Sequence, residues 1–261
     1  MPNIVVLVKQ VPDTWSERKL ADDDFTLDRD SADAVLDEIN ENAVEAALKL
    51  KEEHGGNVTV ATIGPERAVE ALRKALSMGA DDAVILSDDA LAGSDAVQTA
   101  WALSTVIDAI GDVDVIITGN ASTDGGTGTV PAVLGVYRGL PVLTHMRSVA
   151  IDGSTVTGER ETEDGIHQLK ANLPAIVSVT EKANEPRFAS FKGIMAAKKK
   201  PVRELTLADV AAEAEQVGLE NAATSVTAAT PKPPKSAGER INDEGDAGVK
   251  LAEFLKAQKF I

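Results

Sequence analysis

The sequence predicts an α/β protein, a doubly wound parallel sheet carrying an antiparallel ribbon extension and a long C-terminal arm. Three observations carry that reading. Short β-branched runs alternate with helical patterns through the first half, as a helix-covered parallel sheet requires. From about residue 145 to 180 the pattern becomes paired runs separated by turn residues. Beyond residue 200 come an acidic stretch, a proline-rich stretch and a final amphipathic segment.

Ile4-Val5-Val6-Leu7-Val8 is continuously apolar, as a strand buried on both faces should be. Residues 58–63, 83–86 and 113–118 are the next strands, with helices near 40–53, 65–78 and 93–110. In the first helix Ala43, Ala46, Ala47 and Leu50 recur at helical spacing. The second has Pro65 at its start, where a missing N–H costs nothing, and Gly79 at its end. A stretch rich in Gly, Ser, Thr and Asn, residues 120–129, leads into a helix from Pro131 to Tyr137. Two hairpins follow, turning at Asp152-Gly153-Ser154 and at Glu163-Asp164-Gly165. Pro174 to Thr180 then returns to the core. Residues 1–200 are expected to form the α/β domain, including the ribbon (145–180). Residues 201–261 are expected to form an arm, with a helix-like stretch at 207–216, a proline-rich run at 230–236 and an amphipathic end at 249–261. Such an arm needs another surface, which points to an obligate partner.

Composition excludes several functions. The chain of 261 residues has no cysteine, hence no disulfide, thiolate metal cluster or cysteine nucleophile. His54, His145 and His167 lack metal-ligand spacing. A formal charge of −16 disfavours nucleic acid and anionic membrane. No apolar run approaches the roughly 18 residues of a membrane span. The first nine residues do not resemble a signal peptide, so a cytoplasmic location is expected.

In an open parallel sheet, ligands bind beyond the carboxyl ends of the strands, where the winding reverses. Three segments converge there: residues 7–13, Ile63-Gly64-Pro65, and the loop Gly119-Asn120-Ala121-Ser122-Thr123-Asp124-Gly125-Gly126-Thr127-Gly128-Thr129-Val130. Small residues let backbone approach an anion, and N–H groups at a helix start favour phosphate. The same composition also suits a flexible loop. No Gly-Lys-Ser/Thr ends it, so it is not a P-loop, and it does not follow the dinucleotide fingerprint of a first strand. Without a catalytic lysine or metal carboxylate pair, it suits holding a nucleotide more than cleaving one. The charges Glu159-Arg160-Glu161 and Glu163-Asp164 read as a solvated hairpin edge, Lys198 to Lys200 as a solvated helix end, and Trp15 and Trp101 as packing residues.

Several of these segments together resemble the electron transfer flavoprotein beta family. They are Val6 to Asp13, Ala75 to Asp81, Glu159 to Gly165 with Leu173 to Val179, and above all the run from Asn184 to Lys200. The resemblance implies an adenine nucleotide alpha hydrolase-like fold and a heterodimer whose alpha subunit carries a redox-active FAD. It implies a structural AMP in this chain, at Leu7, Asp37 to Asn40, Ile63 and Gly119 to Val130. The family often has Asn-Pro where Asp37-Glu38-Ile39-Asn40 stands here. Residues 184–200 resemble the loop that docks acyl-CoA or other flavin dehydrogenases, with Phe191 where a leucine anchor is common. Arg187, Phe188, Ile194 and Met195 accompany it. Electrons would pass on to a membrane quinone oxidoreductase. Arg160 and Glu161 would lie near the alpha subunit and its flavin, and Lys198 to Lys200 would orient acidic partners or sit at the subunit interface. Members that bifurcate electrons carry a second FAD and resemble Asp-Gly-Asp-Thr-Ala-Gln-Val in the loop. Asp124-Gly-Gly-Thr-Gly-Thr-Val130 lacks the second aspartate and the glutamine, which favours AMP. A different class, a short self-dimerising sensor resembling universal stress proteins, would need only the first 140 residues.

Overall fold

A computed structural model describes residues 1–230, 232–235, 238, 240 and 242–261. The chain forms two units, Met1–Val226 and Thr227–Ile261. The larger begins with β1 (Asn3–Leu7), followed by short strands β2 (Gln10–Pro12), β3 (Lys19–Leu20), β4 (Leu27–Asp28) and β5 (Ala34–Leu36). Then come α1 (Glu38–His54), β6 (Asn57–Ile63), α2 (Val69–Met78), β7 (Asp82–Leu86), α3 (Ala96–Ile110), β8 (Val115–Gly119) and α4 (Val130–Arg138). The second half holds β9 (Val142–Asp152), β10 (Thr155–Thr162), β11 (Gly165–Asn172), β12 (Ala175–Val179), α5 (Phe191–Ala197) and β13 (Val202–Leu205). The smaller unit contains α6 (Ala247–Ala257), with a Lys250–Asp246 pair of 3.0 Å in its first turn.

Nine strands make one sheet in the order β11-β10-β9-β12-β8-β1-β6-β7-β13. From β9 to β13 every neighbouring pair is parallel, while β10 and β11 extend the sheet as an antiparallel ribbon. The winding goes outward from β1 through β6 to β7, then crosses back to β8 on the other side of β1. Strand alternation divides the core accordingly. Ile4, Val6, Val58 and Val60 face α1 and α2, with Ala43, Ala47, Leu72 and Leu76 opposite them. Val5, Leu7 and Ala61 pack with Ala100, Leu103, Ile107 and Leu134 of α3 and α4. The crevice at the carboxyl edge therefore opens where β1 separates the two directions of winding.

The structure redraws some sequence-based boundaries. Strand β13 pairs with β7, Val202 against Ala83, and residues past 200 finish the core: Leu205, Leu207, Ala212 and Val217 are buried. The compact unit thus runs beyond the expected arm boundary at 200. The 207–216 stretch is not an extended helix but two 3₁₀ turns, Leu207–Asp209 and Ala214–Gln216. The proline-rich run 230–236 falls partly outside the described residues. Residues 10–36, which lack clear periodicity, form two small antiparallel pairs, β2 with β5 and β3 with β4. Trp15 is not a packing residue. It is 94% exposed, in a turn closed by Ser16 N–H on Asp13 O and by its own N–H on the Asp13 carboxylate. Trp101 does pack, edge-on to Tyr137 with ring centroids 5.4 Å apart. Among the described residues no helix is long and apolar enough to cross a membrane.

Leu72 is fully buried against the sheet, and its loss would leave a cavity. Leu72→Ala should lower unfolding stability by about 2–5 kcal/mol without changing the urea slope, measured by equilibrium denaturation.

Candidate functional site

The loop between β8 and α4 is built from internal polar bonds. Asp37, with no exposed surface, caps α1: its Oδ1 accepts from the N–H groups of Ile39 (3.0 Å) and Asn40 (3.4 Å). Its Oδ2 accepts from the N–H (2.7 Å) and hydroxyl (2.8 Å) of Thr123. The carboxylate thereby joins the helix start to the loop. Asn40 Oδ1 accepts from Lys9 N–H at 2.7 Å. A Cβ on Gly119 would stand 2.6 Å from Asn40 Nδ2, so glycine is needed where the strand end passes under α1. Gly126 and Gly128 have φ of +63° and +64°, which gives the loop its left-handed bends.

Cations surround this loop. Lys9 Nζ donates to Asp124 Oδ1 at 2.8 Å and to Ser122 Oγ at 3.4 Å, and Arg29 stands 3.0 Å from Asp124 Oδ2. Arg18 donates to the Thr123 carbonyl. The Asp124 side chain is only 1% exposed. Burial pushes its carboxyl up, but the charge and hydrogen bond of Lys9, with bonds from Ser122 and the Gly125 N–H, win and hold it well below the carboxylate range. Burial likewise lowers Lys9, offset in part by Asp124.

The predicted site residues fall into distinct roles. Asp37, Asn40 and Thr123 spend their polar atoms on scaffolding. Leu7 points into the α3/α4 core and offers only backbone to the crevice; Ile63 packs at the edge of the same core. The N–H groups of Thr127, Gly128 and Thr129 make no hydrogen bond among the described residues, and Thr129 caps α4 without a side-chain bond. Asn120 Oδ1 is buried without a partner, and Ala121, Ser122, Gly125 and Val130 complete the loop wall. These unspent groups, at the start of a nine-residue helix, suit an anionic ligand with a donor for Asn120. Lys9, Arg18 and Arg29 did not stand out from the sequence. Only Lys9 carried a signal, as a lysine just past the first strand.

The 184–200 segment lies elsewhere. Asn184 and Asn42 exchange bonds of 2.7 and 3.0 Å, side-chain amide to main-chain carbonyl. Ser190 Oγ accepts from Gly193 N–H at the start of α5. A Cβ on Gly193 would stand 2.4 Å from the Ser77 carbonyl, so α5 packs closely on α2. Between these supports Phe188 is 95% and Phe191 80% exposed, with Ile194 and Met195 half-exposed beside them. Arg187, expected among the partner contacts, pairs within the chain with Glu45 and Glu52 of α1. Lys200 donates to the Ala80 carbonyl, while Lys198 and Lys199 are solvated. In the ribbon, Glu161 accepts from Lys182 (3.1 Å) and Arg147 (3.3 Å), and Arg160 donates to Thr144 Oγ1. The hydrogen bond and charge of Lys182 lower the Glu161 carboxyl.

Fold and loop define a doubly wound α/β protein with a glycine-rich loop at the carboxyl edge of its sheet and a separate exposed apolar segment. The electron transfer flavoprotein domain model matches residues 24–210. The chain is 60% identical, over all of both sequences, to the electron transfer flavoprotein subunit beta of Mycobacterium tuberculosis. It is 35% identical to that of Megasphaera elsdenii over 99% of each. It is also 35% identical, over 91% of each, to the caffeyl-CoA reductase-Etf complex subunit CarD of Acetobacterium woodii. The chain belongs to the electron transfer flavoprotein family, among its beta subunits, and its role is in electron transfer. The match extends far beyond the first 140 residues, which sets aside the stand-alone sensor.

Asp124 titrates far below its ordinary value of 3.8, so its stabilising contribution is complete above that value and drains away as pH falls. Asp124→Asn should lower stability at pH 7 and flatten the acid limb below about pH 4, followed by circular dichroism.

Proposed function

We propose that this chain pairs with an electron transfer flavoprotein alpha subunit, holds AMP in its crevice and docks flavin dehydrogenases. The alpha subunit would carry the FAD, which supplies the redox chemistry. Acyl-CoA or other flavin dehydrogenases would deliver electrons, a membrane quinone oxidoreductase would take them, and the pair would work in the cytoplasm. The observation that carries the nucleotide reading is the loop Gly119 to Val130. It offers the N–H groups of Thr127, Gly128 and Thr129 for phosphate oxygens, and the buried Asn120 Oδ1 for a donor. Hydrolysis is not favoured there, because the nearby Lys9 is held by Asp124. AMP in this position would be structural, since the loop forms part of the core connection between β8 and α4.

A second FAD in place of AMP is the alternative for this crevice. The loop supports AMP instead, as Gly126 and Thr129 stand where members with two flavins resemble aspartate and glutamine. The exposed pair Phe188 and Phe191, with Ile194 and Met195, supports docking: large apolar side chains on a firm base are favoured interface anchors. Arg160 and Glu161, in β10 beside the turn into β11, would lie on the alpha-subunit side near its flavin.

Co-expression with the alpha subunit should give a yellow heterodimer that releases one FAD and one AMP on denaturing extraction; two flavins would overturn the AMP assignment. Phe191→Ala should raise the KM of a reduced acyl-CoA dehydrogenase for the heterodimer about tenfold and leave flavin content intact. An unchanged KM would remove Phe191 from the contact.

A further inference from the structure

Residue 187 sits one position before the most exposed aromatic side chain of the docking segment, yet its own side chain turns inward. Arg187 Nε donates to Glu45 Oε2 at 2.7 Å and Nη2 to Glu45 Oε1 at 3.1 Å. Nη1 and Nη2 reach the two oxygens of Glu52, at 2.5 and 3.1 Å, and the Arg187 N–H adds a bond of 3.3 Å to Glu45. All three guanidinium nitrogens are thus bound to α1. The Glu45 side chain is 5% exposed, the Arg187 side chain 33%. Two-pronged pairing of this kind fixes direction as well as distance.

From this geometry we infer that Arg187 is a positioning residue, clamped to Glu45 and Glu52 so that Phe188 and Phe191 project toward a flavin dehydrogenase it does not itself touch. The inference rests on the docking reading above. Its physical basis is preorganisation. Asn184 fixes the segment upstream and α5 seats it on α2 downstream, but the backbone between them makes no sheet or helix bonds. Arg187 is the anchor adjacent to Phe188, and Phe191 opens α5. Ordering this stretch before association removes that cost from the binding step. A buried Glu45 left without its partner would also drive the local chain to rearrange.

The test uses the heterodimer, with KM and kcat measured for a reduced acyl-CoA dehydrogenase and hydrogen exchange followed at the amides of 187–191. Arg187→Gln should raise KM about tenfold with kcat held, and speed exchange at those amides by about the same factor. Glu45→Gln should do both in the same direction, although its carboxyl is too buried to meet a partner. The penalty of Phe191→Ala should shrink in the Arg187→Gln background. A KM increase in Arg187→Gln with none in Glu45→Gln would overturn the inference, because Arg187 would then be touching the dehydrogenase. Unchanged exchange in both variants would overturn it as well. If Phe191→Ala alone leaves KM unaltered, the docking reading fails, and the exchange data still decide whether the clamp exists.

Discussion

The Asp37 carboxylate joins two parts of the molecule that no strand or helix connects directly. One oxygen closes the amino end of α1; the other holds Thr123 in the loop that leaves β8. A carboxylate with no exposed surface is tolerated only when its acceptor sites are filled, and here four donors fill them. One side chain therefore ties the start of α1 to the loop after β8. Asn40 extends the same arrangement to the backbone of Lys9, and Gly119 gives Asn40 its space. These bonds fix the start of α1, the end of β8 and the loop to one another, and the N–H groups of Thr127, Gly128 and Thr129 are not spent on them.

How much of this could be read from the sequence depends on whether local pattern or distant pairing set the structure. The strands β1, β6, β7 and β8 were legible because each is a short run dominated by apolar and β-branched residues, as strands buried in a parallel sheet are. The hairpin turns were legible from Asp152-Gly153-Ser154 and Glu163-Asp164-Gly165, since turn chemistry is local. The short pairs within residues 10–36 were not, because strands of two and three residues carry no periodicity. Strand β13, Val-Arg-Glu-Leu, gave no signal either: it is a half-exposed edge, and only pairing with β7 makes it a strand.

The candidate site divides in the same way. The small residues of 119–130 announced a loop suited to an anion, whereas two of the cations beside it had no signature. Arg18 and Arg29 arrive from the irregular excursion after β2. Asp37 was singled out by resemblance for the nucleotide site, and the structure shows its carboxylate holding the loop. Arg187 shows the same shift. A charged residue in an exposed run suggests a surface contact, and only the nearness of Glu45 and Glu52 reveals that it turns inward.

The order of the strands also has a consequence for how the chain is made. The apolar segment that carries Phe188 and Phe191 lies between β12 and β13, inside the fold and not on its tail. Synthesis proceeds from the amino end, so β7 waits with an open edge until residues 202–205 leave the ribosome. During that interval an unpaired strand edge and two aromatic side chains coexist on a partly built sheet, a combination that attracts unintended neighbours. The arrival of β13, with Leu207, Ala212 and Val217 behind it, covers the β7 edge, while the two aromatic side chains stay exposed. The stretch after residue 200 therefore serves the newborn chain as a seal for the β7 edge, delivered after the edge it covers.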